Sequence, residues 1–172
     1  PKNSLDLMSL TNLGTAGELK SIIKTTGISS VRVAEDNVTS SDLCIEAAIN
    51  ILGDNEIEEV DALIFVSQTR DYHLPQTSFI IQNRLKLRKD IFCLDMPLGC
   101  SGYVNGLFQA SLLLQIPNIK KVLLLAGDTS TKMINVKDRA TRMVFGDGGS
   151  ATVLEKGKDT ISFNIKSDGS GS

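Results

Sequence analysis

The chain has 172 residues, a net charge of −2, 41% hydrophobic and 22% charged residues, and 5% aromatics with no Trp. That length suffices for one domain with a real hydrophobic core. The charge balance offers no broad basic field to draw nucleic acid or an anionic membrane, and the few aromatics offer no platform for stacking bases.

The first 30 residues read as two short helices, in "SLDLMSLTNL" and "GELKSIIKTTG", with no strand before them. A firmer helix follows. Thr39 or Ser41 can cap it, Asp42 falls in its first turn, and Cys44, Ala47, Ala48, Ile51 and Leu52 recur at helical spacing before Gly53 ends it. Cys44 is therefore a core residue, since free Cys packs as a small hydrophobe. "DALIFVSQ" (61–68), "IFCLDM" (91–96) and "KVLLLAG" (121–127) are short continuous apolar runs, the pattern of strands buried on both faces. Cys93 lies inside the second run and reads as core. Helical stretches separate the runs: "QTSFIIQNRLKL" (76–87) after Pro75, and "GYVNGLFQASLLLQI" (102–116), stopped by Pro117. Strands alternating with helices of this length imply βαβ units and a parallel sheet. "FGDGGSATVLE" (145–155) is a Gly-rich turn running into a strand. "TISFNIK" (160–166) alternates like a half-exposed strand, too close to the previous one for a crossover, so the two read as an antiparallel pair.

Three cysteines, Cys44, Cys93 and Cys100, are too few and too odd in number for a disulfide framework, which suggests a reducing compartment, the cytoplasm. No signal-peptide pattern and no bilayer-length apolar run is present. The chain begins at Pro1 and stops in "SDGSGS", and both ends read as internal to something longer.

The chemistry concentrates in "MPLGCSGYVNGL" (96–107). An apolar strand ends, the backbone turns through Pro97 to Gly99, and a helix starts near Ser101. Cys100 then stands at a helix N-terminus, where unpaired amides and the helix dipole favour a thiolate and an oxyanion. Gly99 and Gly102 allow the sharp turn and close approach of a substrate. Ligands of open α/β sheets bind beyond the carboxyl ends of the strands, which is where this cysteine falls. The alternative is a buried Cys at a tight turn. The "FGDGGS" loop lacks the Lys-Ser/Thr of a phosphate-binding P-loop, so Gly146, Gly148 and Gly149 read as backbone devices and Asp147 as a turn cap.

"LGCSGYVNGL", "KDRATRMVFGDGGSATVLE" (137–155) and "SDGS" (167–170) together resemble the β-ketoacyl-acyl-carrier-protein synthase III family. So do "TTGISSVRVA" (25–34), "TSSDLCIEAAINIL" (39–52), "VSQTRDYHLPQTSFIIQ" (66–82) and "VLLLAGDTST" (122–131), in the same order. The resemblance implies an α/β fold, half of a thiolase-like protein, with a mixed, mostly parallel five-stranded-type sheet, helices on both faces and an antiparallel last strand. Residues 1–172 would form a single domain, the N-terminal half of such an enzyme, with 167–172 a linker to the other half. By this resemblance Cys100 accepts an acyl group from acyl-CoA or acyl carrier protein, and decarboxylating malonyl-acyl-carrier protein then attacks it in a Claisen condensation. It further implies a homodimer paired through "IFCLDM", substrate-binding roles for Arg139 (near the nucleotide) and Leu74 (lining the acyl pocket from the partner subunit), and neither metal nor bound cofactor.

The departures are equally specific. The family's catalytic His and Asn lie in its second half, whereas the one histidine here, His73, precedes the nucleophile and resembles a structural loop residue. The fragment alone should not complete a condensation. Ser21 and Thr25 stand where the family often stacks adenine between Trp and Arg, which points to an acyl-carrier-protein donor or an unusual acyl-CoA. The family's first strand, expected in the middle of the sheet, is missing, so "TISFNIK", a reordered N-terminus or a neighbouring chain should fill a gap. Two other readings compete: a non-catalytic thiolase-fold binding or dimerisation domain, and an α/β-hydrolase with a Cys nucleophile. The hydrolase elbow wants Gly two residues before the nucleophile, where Leu98 stands, and no His follows Cys100.

Overall fold

Runs of consecutive apolar residues can be buried only where a sheet is covered on both faces, and here three of them become neighbouring strands. The computed structural model describes residues 1–53, 56–158 and 160–170. In chain order it contains β1 (Asn3–Asp6), a 3-10 turn (Leu7–Ser9), α1 (Ala16–Thr26), β2 (Ser30–Val33), α2 (Ser40–Ile51), β3 (Ala62–Val66), α3 (Thr77–Arg84), β4 (Phe92–Met96), α4 (Gly102–Leu113), β5 (Lys121–Thr129), α5 (Arg139–Arg142) and β6 (Asp147–Glu155). The main sheet has the order β4-β3-β5-β6. β3 runs parallel to both neighbours, and β6 lies antiparallel along β5 from Lys121↔Glu155 to Thr129↔Asp147.

Strand alternation divides the core in two. Leu63, Phe65, Leu123 and Leu125 point to the face covered by Cys44, Ile45 and Ala48 of α2 and Ile81 of α3. Ala62, Ile64, Val66, Val122 and Leu124 point to the other face, against Ala110 and Leu114 at the α4 end. α4 comes unusually close because it meets the sheet with glycines one turn apart. A Cβ on Gly102 would stand 2.5 Å from Val66 Cγ1, and one on Gly106 2.7 Å from Leu124 Cδ1. The helices are well started: Thr15 with Glu18, and Thr39 with Asp42, form reciprocal capping boxes. α3 is capped from afar, its Thr77 and Ser78 amides each donating to the Asp95 carboxylate of β4 at 2.8 Å.

Three expectations are corrected. "SLDLMS" is not helical. It forms β1, which pairs antiparallel with β2 in a separate two-stranded sheet, and then a 3-10 turn. The cause is period-two alternation: Leu5 and Leu7 turn toward a satellite core that includes Leu19, Val31 and Met143, while Ser4 and Asp6 face out. The sheet has no central gap, because β3 bonds β5 directly from Ala62↔Val122 to Val66↔Ala126. Four strands rather than five make it up among the described residues, and the free edges are the outer ones of β4 and β6. "TISFNIK" is no strand. Ile161 is 62% exposed, and only Phe163 finds cover, edge-on to Phe108 of α4 with centroids 5.3 Å apart.

At the amino-terminal end of the strands, Asp61 accepts from the amides of Lys120 and Lys121 and from Arg88 Nη2. Burial opposes its charge, but these donors outweigh burial and hold its carboxyl below the ordinary 3.8. A carboxyl held low stabilises the fold above its unfolded pKa and loses that contribution as pH falls through the depressed folded value. Asp61→Asn is therefore expected to cost about 1–3 kcal/mol near neutrality, with the difference from the parent closing in acid. Denaturant titrations at pH 7 and below pH 3.8 check this, and a pH-independent difference would refute it.

Candidate active site

The carboxyl ends of β3, β4 and β5 are laced together. Asp128 near the end of β5 accepts from Ser67 Oγ (3.0 Å), the amides of Gln68 (2.8 Å) and Thr69 (3.0 Å), and Thr69 Oγ1 (3.0 Å). The Thr129 amide donates to Thr69 Oγ1 at 2.8 Å, and the Ser67 amide to the Met96 carbonyl at 3.2 Å. One carboxylate, reading four donors, thus fixes where the chain leaves β3 beside the turn that follows β4.

Cys100 sits on that turn. It is exposed, one residue before Ser101, which occupies the N-cap position of α4. Ser101 makes no side-chain capping bond, so the first-turn amides of α4 have no side-chain acceptor of the usual kind. The Gly102 amide closes the turn on the Gly99 carbonyl at 2.7 Å. Lys86, at φ 56°, is the sole non-glycine residue with positive φ among those described. The Cys100 turn therefore lacks the strained backbone of a hydrolase elbow.

The other two thiols are unlike it. Cys44 is fully buried on α2, and burial pushes it up to about 12, with Asp128 and Asp71 adding to the rise. Cys93 lies on the edge strand β4 and is half-buried rather than core, and burial, helped by Asp95, pushes it up to about 11.

The expected substrate residues Arg139 and Leu74 lie on α5 and in the loop after β3. Arg139 opens α5 and pairs with Glu18 Oε1 at 3.1 Å. It thereby lies against α1, the helix that carries the exposed Ser21 and Thr25. Bonds from the amide and hydroxyl of Thr15, then the Arg139 guanidinium, hold the Glu18 carboxyl below its ordinary value. Leu74 is 84% exposed in the loop after β3, beside the exposed His73. Asp147 does more than cap a turn. Its carboxylate accepts from the amides of Ala34 and Thr131 and from Thr131 Oγ1, binding β6, the segment after β2 and the segment after β5 together. Nearby, Lys132 Nζ donates to the carbonyls of Glu35, Asp36 and Val38.

A cleft of about 210 Å³ opens at this end of the sheet, lined by Gln68, Thr69, Met133, Ile134, Thr141 and Phe145 among others. Sequence reasoning missed Gln68, Asp128 and Phe145 as site residues. Gln68 and Asp128 did carry a signal, because each is a polar residue at or just past the end of an apolar strand. A larger cavity, about 980 Å³, lies at the opposite end of the strands among Asp61, Arg88 and Lys121. It holds ion pairs, Lys121 Nζ meeting Glu59 at 2.7 Å and Glu155 at 3.0 Å, and no nucleophile.

Residues 94–169 match the family model described as 3-oxoacyl-[acyl-carrier-protein (ACP)] synthase III. The chain is 36% identical over 154 residues to a putative 3-oxoacyl-[acyl-carrier-protein] synthase 3 of Campylobacter jejuni, covering 88% of this chain and 43% of that protein. It is 32% identical over 155 residues to a β-ketoacyl-[acyl-carrier-protein] synthase III of Desulfitobacterium hafniense, covering 87% and 46%. In three dimensions it resembles a 3-oxoacyl-(acyl-carrier protein) synthase from Burkholderia xenovorans with a TM-score of 0.88 at 37% identity, over 92% of this chain and 46% of that one. The chain spans less than half the length of each of these proteins. No helix among the described residues is long and apolar enough to cross a membrane.

Proposed function

Since most of this chain matches less than half the length of proteins named 3-oxoacyl-[acyl-carrier-protein] synthase III, we propose that it is the N-terminal, acyl-accepting half of such an acyltransferase, with Cys100 as nucleophile. The observation that carries this reading is the placement of the one exposed thiol, at the uncapped start of α4 and beyond the carboxyl ends of three parallel strands. The Cys100 thiolate attacks the carbonyl carbon of an acyl thioester, with the first-turn amides of α4 facing the oxyanion. Collapse breaks the old carbon–sulfur bond, forms the S-acyl cysteine, and releases coenzyme A or acyl carrier protein as a thiolate, which takes back the proton. The cleft between Gln68 and Phe145 receives the acyl chain.

Arg139 faces the phosphates of coenzyme A once released from Glu18, and Leu74 closes the acyl cleft of a partner subunit. Both roles rest on their positions in the family pattern. Condensation requires the His- and Asn-bearing half, and that half covers the outer face of α4 and the turn after it, where Val104 and Leu112 of the helix and Ile116 of the turn are 52%, 48% and 47% exposed. A helix apolar all round belongs inside a larger structure. The free edge of β4 pairs with its own copy across a two-fold axis. The chain should therefore sediment as a dimer, and Phe92→Asp, at the 45% exposed start of that edge, as a monomer. A monomeric parent would refute this pairing.

The direct test is to incubate the chain with acetyl-CoA, longer acyl-CoAs and acyl-acyl-carrier protein, then weigh it intact and map the adduct. An acyl mass on Cys100 supports the proposal. No adduct with any thioester leaves a binding or dimerisation domain as the better description.

A further inference from the structure

We propose that Gln68 selects acyl groups that carry a hydroxyl or carbonyl substituent close to the thioester. This rests on the reading of Cys100 as the acyl acceptor, and it names the substrate class of that site.

The side chain of Gln68 lies over Gly99, the residue immediately before Cys100. A Cβ on Gly99 would stand 2.8 Å from Gln68 Cδ and Nε2 and 2.9 Å from Oε1. Glycine at 99 is therefore what leaves room for the carboxamide beside the nucleophile. The backbone that carries the carboxamide is also fixed. The Gln68 amide donates to Asp128, and the same carboxylate fixes Ser67 and Thr69 on either side. Among the described residues the carboxamide itself has no hydrogen-bond partner, and Gln68 is exposed, lining the cleft. Met133, Ile134 and Phe145 line that cleft together with Thr69, Ser130 and Thr141.

An unpaired carboxamide lining a largely apolar cleft discriminates by what it loses. It can donate through Nε2 and accept through Oε1, so it pairs with either a hydroxyl or a carbonyl. A purely alkyl acyl group entering the cleft strips water from the amide and returns no hydrogen bond, which is costly. Sites with polar groups of this kind reject substrates that lack the matching atom far more strongly than apolar sites reject an extra hydroxyl. Because the carboxamide flanks the residue next to Cys100, the substituent it meets lies within the first few carbons of the acyl chain.

The experiment compares initial rates of Cys100 acylation by 3-hydroxybutyryl-CoA and butyryl-CoA, read by intact mass, in the parent chain, Gln68→Leu and Gln68→Met. The parent is expected to prefer the hydroxylated thioester by about tenfold. Both variants, with unchanged melting curves, are expected to lose or reverse that preference. Two apolar replacements of different shape guard against one of them misfolding. A parent that is acylated equally well by both, or prefers butyryl, overturns the proposal, as does a preference that survives both substitutions. Absence of any acyl mass with either thioester overturns the acceptor reading itself, and this inference with it. Adducts without selectivity overturn only the inference.

Discussion

Cys100→Ala is expected to lower acyl-adduct formation by about a thousandfold or more while leaving the melting curve within about 0.5 kcal/mol of the parent. The side chain is exposed, so its removal opens no cavity and strands no buried partner. The same variant separates the three thiols. Cys44 and Cys93, pushed up to about 12 and about 11, stay protonated at pH 8, and the first is also sealed inside the fold. Iodoacetamide at that pH should add one group per parent chain, on Cys100, and none to Cys100→Ala in the same interval. Acylation persisting in the variant would place the nucleophile elsewhere, and alkylation spread over all three cysteines would contradict the burial described.

Gly149→Ala carries the largest expected loss of stability. A Cβ there would lie 2.6 Å from the carbonyl carbon of Leu43, 2.7 Å from the amide nitrogen of Cys44 and 2.8 Å from Leu43 Cβ. Two of these are backbone atoms of α2, which cannot swing aside as the end of a long side chain could. The methyl must lift α2 from β6, and α2 supplies Cys44, Ile45 and Ala48 to the core. Overpacking of this kind costs about 3 kcal/mol, or roughly 6–12 °C in melting temperature for a chain of this size. Gly148→Ala is the internal control, since nothing lies within 4 Å of its Cβ position. A Gly149→Ala protein that melts with the parent would mean that α2 does not lie where it is described.

The contrast between those neighbouring glycines shows where sequence reading stops. Both sit in "FGDGGS", and both read as backbone devices. Only the fold reveals that one faces a helix and the other open space. The three apolar strands were legible because a run such as "ALIFV" has no polar residue to expose, and the structure buries every one of its five residues. "SLDLMS" was misread because its partner, Ser30–Val33, lies far along the chain, and no local signal announces a non-local pairing. "TISFNIK" failed for the opposite reason: alternation was present, but no strand edge was paired with it. The position of Cys100 just before α4 was legible because an apolar run, a Gly-rich turn and a helical run follow one another there. Phe145 was not, because it reaches the cleft only when separate loops converge, and Gln68 and Asp128 carried no more than their polarity at strand ends. Of the residues assigned by resemblance, Arg139 is paired with Glu18 and Leu74 is exposed.

The Asp128 carboxylate has a consequence for how such a site can diversify. It ties the end of β3, where Gln68 lies over the Cys100 turn, to β5, whereas Met133, Ile134 and Phe145 come from the segment between β5 and β6. That segment has its own anchors in Lys132 and Asp147. Substitutions among the three apolar side chains can therefore accumulate, changing which acyl groups are admitted, while the thiol and its turn stay put. Under the proposed function, the apolar part of acyl selectivity and the reactive thiol lie on separate pieces of chain, and a lineage can exchange the first without disturbing the second.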